Sequence, residues 1–92
     1  MNVQAEISLY PLRTNDLGRG IGMFLSALKA AGLSVQPGNM SSTVTGDADA
    51  VFSAVGAAFK AAVGNGQGVL VMKVSNACPV GQATEGTRAD VG

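Results

Sequence analysis

The chain reads as an α+β protein, a ferredoxin-like βαββαβ sandwich with a four-stranded antiparallel sheet and two helices on one face. Three observations predict it. Apolar and polar residues alternate with a period of two at both ends of the pattern, Val3 to Tyr10 and Val69 to Ser75. Two apolar stripes at helical spacing, Leu17 to Leu28 and Val51 to Val63, divide the chain into similar halves. Each half runs strand, helix, strand, and right-handed crossovers then place both helices on one side of the sheet. The expected strand order is four, one, three, two.

The first strand covers Val3 to Tyr10. Val3, Ala5, Ile7 and Leu9 face one way, and Gln4, Glu6, Ser8 and Tyr10 the other. Pro11 has no N–H to donate and is expected to end the strand. Asn15 or Asp16 can cap the first helix. Its stripe is Leu17, Ile21, Phe24, Leu25 and Leu28, and Gly32 closes it. Leu33 and Val35 alternate with Ser34 and Gln36 in a short second strand. Pro37-Gly38-Asn39 is a turn.

The third strand is expected over about Met40 to Thr45. With Met40, Ser42 and Val44 toward the helices, Ser41, Thr43 and Thr45 take the opposite face. Asp47 or Asp49 caps the second helix. Val51, Phe52, Val55, Phe59, Ala62 and Val63 form its stripe, and Lys60 lies where the dipole favours a cation. Asn65-Gly66 turns the chain into the fourth strand, Val69 to Ser75.

Ninety-two residues can bury one modest core, so one domain is expected over residues 1–79. Residues 80–92, rich in Gly, Thr, Ala and charge, are expected to be a flexible or partner-dependent tail. A domain this small is often marginal alone, which favours a partner subunit. The mixed open sheet face, with Val69, Val71 and Tyr10 among hydroxyls, suits a homodimer or tetramer, or the roof of a ligand pocket.

Composition excludes several classes. The apolar fraction is 47% and the formal net charge zero, which argues against disorder and polyanion binding. Arg13, Arg19, Lys29, Lys60, Lys73 and Arg88 are scattered, and Tyr10 alone offers an aromatic on a central strand. No nucleic-acid partner is expected. No apolar run approaches the roughly 20 residues of a membrane span. The charged Glu6 inside the first strand argues against a signal peptide. A single cysteine, Cys78, fits a reducing compartment, and a cytoplasmic location is expected. There is no histidine, and the acids are scattered, so no metal site, cofactor or acid–base pair is expected. The chain reads as a binder and not an enzyme.

The stretch from Ser41 to Thr45 holds four hydroxyls in five residues and runs through Gly46 into Asp47. Threonine suits strands and serine suits turns, so the cluster has a local explanation. It also suits a polar pocket lining. Glu6 and Lys73 share a face, and a cross-strand ion pair is the plain reading. A carboxylate there could also accept from a ligand amine. Gly18-Arg19-Gly20-Ile21-Gly22 lacks the spacing of either phosphate-binding glycine motif. Close packing at the first turn of the helix is favoured over a phosphate held near Arg13 or Arg19. Cys78 reads as a small buried hydrophobe.

Three segments in register carry a resemblance. They are Ile7-Ser8-Leu9-Tyr10-Pro11-Leu12, then Ser41-Ser42-Thr43-Val44-Thr45-Gly46-Asp47 followed by Val51-Phe52, then Val74-Ser75-Asn76-Ala77-Cys78-Pro79. Together they resemble the YkoF-like family of thiamine- and hydroxymethylpyrimidine-binding proteins. More distantly, they resemble a related group of single-domain thiamine-binding proteins. The resemblance implies a domain that pairs sheet to sheet and binds the pyrimidine part of thiamine or a precursor, in salvage, transport or sensing. YkoF-like chains carry two such domains in tandem, so here a homodimer would replace the pair. The motifs carry over Ser8 and Tyr10, then Ser41, Ser42 and Thr43, then Ser75 as ligand-binding positions. Glu6 or Asp47 could supply the carboxylate that an aminopyrimidine amine requires. Two other classes share this element order: a regulatory domain of the amino-acid-sensing kind, and a ligand-free oligomerisation module.

Overall fold

The computed structural model describes residues 1–77. Its elements are β1 (Asn2–Leu12), α1 (Leu17–Ala30), β2 (Ser34–Pro37), β3 (Ser42–Asp47), α2 (Ala48–Val63) and β4 (Gln67–Ser75). All neighbouring strands are antiparallel, in the order β2-β3-β1-β4. This is the ferredoxin-like arrangement that the sequence predicts. The expected domain limit at residue 79, the tail and Cys78 lie outside the described residues.

The core lies between the helices and one sheet face. Val3, Ala5, Ile7 and Leu9 of β1 are all buried, as the alternation requires. Phe24 and Leu28 of α1, Val44 of β3, and Val51, Val55 and Ala58 of α2 close over them. The buried face of α2 therefore repeats at three- and four-residue steps.

Helix ends follow local chemistry. Asp16 caps α1 by accepting from the Arg19 N–H at 3.2 Å. Asp47 caps α2 by accepting from the Asp49 N–H at 3.1 Å. Gly32, at φ +90, releases the chain from α1 in a conformation that side chains disfavour.

Several sequence expectations shift. β1 continues through Pro11, which lies opposite Gly68. Beyond Ile7, β1 has β4 on one side only, and an edge tolerates proline. β3 begins two residues later than expected. Met40 does not face the helices: it is 89% exposed in the loop before the strand. Pairing instead extends to Gly46 opposite Val3 and Asp47 opposite Asn2. Phe52 is not in the α2 stripe and is 55% exposed, because it sits one step around the helix from buried Val51. Leu17, the first residue of α1, is likewise exposed.

Candidate functional site

The open sheet face presents ordered rungs. Gln36, Thr43, Glu6 and Lys73 stand side by side across all four strands. Ser34, Thr45, Gln4 and Ser75 form the next rung. On the other side, Ser8 lies opposite Val71 and Tyr10 opposite Val69. Side-chain alternation alone sends these groups to the face without helices.

Glu6 is the electrostatic centre. Lys73 Nζ lies 3.5 Å from its Oε1, and the Ser41 hydroxyl donates to its Oε2 at 2.9 Å. The ion pair that the sequence suggested is thus present, with a third partner delivered by the loop before β3. The Ser41 hydrogen bond, followed by the Lys73 charge, holds the Glu6 carboxyl below its ordinary value of 4.5. Glu6 therefore stays ionised and acceptor-only at neutral pH.

Two depressions flank this carboxylate. One, of about 420 Å³, lies over Gln4, Glu6, Thr43, Lys73 and Ser75. The other, of about 220 Å³, lies beneath the turn from Pro37 to Ser41 and is lined by Ser8, Tyr10, Ser41 and Ser42, with Phe24 and Leu25 of α1. The Glu6–Ser41 hydrogen bond joins a lining residue of each. Seven of the eight sequence-predicted site residues therefore line one depression or the other.

Their hydroxyls are not equally free. Ser8 donates to the Met40 carbonyl at 3.2 Å, and Ser75 accepts from the Ala77 N–H at 3.0 Å. Ser42 does not share the open face with Ser41 and Thr43. It faces the helices and is 9% exposed. Asp47 is the residue that the structure does not bring to the others. It stands at the far end of β3, capping α2 and pairing with the Met1 ammonium at 3.3 Å. That hydrogen bond and charge hold its carboxyl below the usual 3.8.

The apolar walls Phe24, Ile21 and Leu25 were not legible as site residues, since their spacing reads as core. The available signal was strand length: an eight-residue β1 pattern against a shorter β3 leaves an unpaired edge. A third cleft, of about 310 Å³, lies at the far end of β1 and includes Arg13, Arg19 and Gly20. Arg13 has φ +56 and donates to Gln67 Oε1 at 2.6 Å. A Cβ on Gly20 would stand 3.3 Å from the Pro11 side chain, which supports the packing reading of that glycine.

Fold and face together define a ferredoxin-like α+β domain with two depressions beside a carboxylate that Ser41 and Lys73 engage. The model of the YKOF-related family matches residues 2–81, and the chain belongs to that family. No curated protein matches it.

Solved structures share the fold. A hypothetical protein from Methanocaldococcus jannascii superimposes with TM-score 0.74 at 22% identity, covering 80% of this chain and 78% of its own. A domain of unknown function from Bacillus cereus gives 0.73 at 22% identity, covering 82% and 75%. A Thermotoga maritima protein, provisionally assigned to thiamine biosynthesis or salvage, gives 0.71 at 17% identity, covering 80% and 82%.

Proposed function

We propose that this protein binds thiamine or its hydroxymethylpyrimidine precursor without transforming it, in salvage, transport or sensing. The observation that carries the reading is the Glu6 carboxylate, which lines one depression, is paired with Lys73, and is bonded to Ser41 of the other. An aminopyrimidine offers an exocyclic amine donor, ring acceptors and a flat face. A fixed carboxylate, neighbouring hydroxyls and apolar walls complement those groups. Family membership and the assignment of the Thermotoga maritima neighbour support the same ligand class.

Titration calorimetry tests it, with thiamine, hydroxymethylpyrimidine and thiamine diphosphate against an amino-acid mixture. Micromolar or tighter heat with the pyrimidines is expected. Heat with amino acids alone would move the sensor reading ahead.

Self-association through the open face is part of the proposal. Tyr10, Val69 and Val71 are 50%, 46% and 50% exposed on adjacent strands, an apolar group that a second copy could cover. Burial there would enclose the Glu6–Lys73 pair. Sedimentation velocity of Val71→Lys checks this: a homodimer or tetramer in the unmodified chain should dissociate in the variant. An unmodified chain that sediments as a monomer would remove this part of the reading.

A further inference from the structure

Among the described residues, every lysine has an electrostatic reason for its place. Lys73 pairs with Glu6, and Lys29 and Lys60 stand in the last turns of α1 and α2, where the helix dipole favours a cation. Arg13 and Arg19 differ. Neither has a carboxylate within ion-pair distance among the described residues. Arg19 lies in the first turn of α1, where the dipole disfavours a positive charge and no acidic residue of that turn offsets it.

The two arginines line one cleft of about 310 Å³, set among the end of β1, the first turns of α1, the end of α2 and the start of β4. It shares no lining residue with either depression beside Glu6. Arg13 is held in position, since its guanidinium donates to Gln67 Oε1 at 2.6 Å. A neutral amide engages one of its five donors and leaves its charge uncompensated. Asp16 is the one acid in the lining, and its Oδ1 is committed to the Arg19 N–H as the cap of α1. Thr14 accepts from the Asp16 N–H at 3.1 Å, so its hydroxyl hydrogen remains to be donated. Gly20 packs against Pro11, so side chains, and not the glycine-rich turn, are the elements that face an anion.

Two guanidiniums in one cavity suit an anion with several oxygens, because each presents a planar fork of donors. A phosphate monoester carries about −1.5 to −2 at neutral pH and matches both, whereas a single carboxylate matches one. The volume lies at the lower end for small-molecule sites. Leu12 and Met23, 43% and 46% exposed, leave apolar surface beside the charges.

We propose that this cleft binds a small organic phosphate monoester, with the phosphate bridging Arg13 and Arg19 and the apolar body lying on Leu12 and Met23. The site stands apart from the pyrimidine reading, since it uses none of the residues that reading invokes.

The test follows backbone amide shifts of the full chain during titration with phenyl phosphate, inorganic phosphate and benzoate at fixed ionic strength. Phenyl phosphate should shift Arg13, Arg19, Met23 and Gln67 together and bind more tightly than the other two. Arg13→Gly and Arg19→Gln should each weaken it about tenfold, the scale of one charge-assisted hydrogen bond. Arg13→Gly should do so without a lower melting temperature, because glycine accepts the φ of +56 at that position. Gln67→Glu should also weaken binding, by giving Arg13 a carboxylate of its own. Lys29→Gln removes an equal charge outside the cleft and should change the affinity no more than about twofold, as screening of a distant charge requires.

No shift at the four residues with phenyl phosphate, or an affinity unaltered by Arg13→Gly and Arg19→Gln, would overturn the site. An equal loss in Lys29→Gln would reduce the effect to net charge and overturn it as well. Benzoate binding as tightly as phenyl phosphate would overturn the assignment to phosphate, and inorganic phosphate binding as tightly would overturn the role of Leu12 and Met23.

Discussion

The Ser41 hydroxyl reaches across 2.9 Å to Glu6 Oε2, tying the loop before β3 to the middle of β1. Thirty-five residues separate the two in sequence. The bond joins the recess beneath the Pro37–Ser41 turn on one side to the open sheet face on the other. It also lowers the titration of the only carboxylate lining either depression.

Removing that bond should move the titration of Glu6. Ser41→Ala and Lys73→Met are each expected to raise its carboxyl toward the ordinary 4.5, the first by removing the Ser41 hydrogen bond and the second by removing the Lys73 charge and hydrogen bond. Carboxyl carbon shifts followed against pH measure both. The sign for stability follows directly. A carboxyl lowered in the folded state stabilises above its unfolded value and loses that contribution as pH falls through the folded value. Both substitutions should therefore flatten the loss of stability on acidification below about pH 4.5. At neutral pH the effect is small, because Glu6 and Lys73 are 53% and 81% exposed and water screens them.

Gly38→Ala should act on the same bond from a distance. A Cβ at Gly38 would meet the Ser41 carbonyl at 2.5 Å, so the backbone of the loop must shift. The expected result is a Glu6 titration resembling that of Ser41→Ala. Ligand affinity should fall as well, with secondary structure unchanged by circular dichroism. A Gly38→Ala protein with unaltered Glu6 titration would show that the loop relocates without losing its contact.

Asp47 separates capping from charge. Asp47→Asn keeps an acceptor for the Asp49 N–H but loses the attraction of the Met1 ammonium. Asp47→Ala loses both. Melting temperatures should fall in that order, with Asp47→Ala lowest. Pyrimidine binding in the folded variants should stay near that of the unmodified chain, because Asp47 lines neither depression.

The two phenylalanines should differ sharply. Phe24→Ala removes a ring that is 2% exposed and should cost about 3–5 kcal/mol by urea denaturation. Phe52, at 55% exposure, should change monomer stability by no more than about 0.5 kcal/mol when replaced by serine.

Helical periodicity alone treats these residues alike, since both fall on apolar stripes. The difference lies in which arc of each helix meets the sheet. For α2 that arc is Val51, Val55 and Ala58, and Phe52 falls beside it. Strand ends show the same limit. Pro11 should end β1 by its missing N–H, but it sits where one neighbour is absent. Local chemistry cannot know how far β3 extends.

By itself the sequence determined the element order, the strand order, two candidate caps for each helix, and the two faces of β1, and the structure selected Asp16 and Asp47 as the caps. These follow from period, capping chemistry and crossover handedness, all of which act between near neighbours in the chain. Only the tertiary structure decided that Ser41 would find Glu6, that Met40 would stay outside the strand, and that Asp47 would stand apart. Those outcomes depend on the register of β3 against β1. Because side chains alternate, a shift of one residue exchanges the faces of Ser41, Ser42 and Thr43 together.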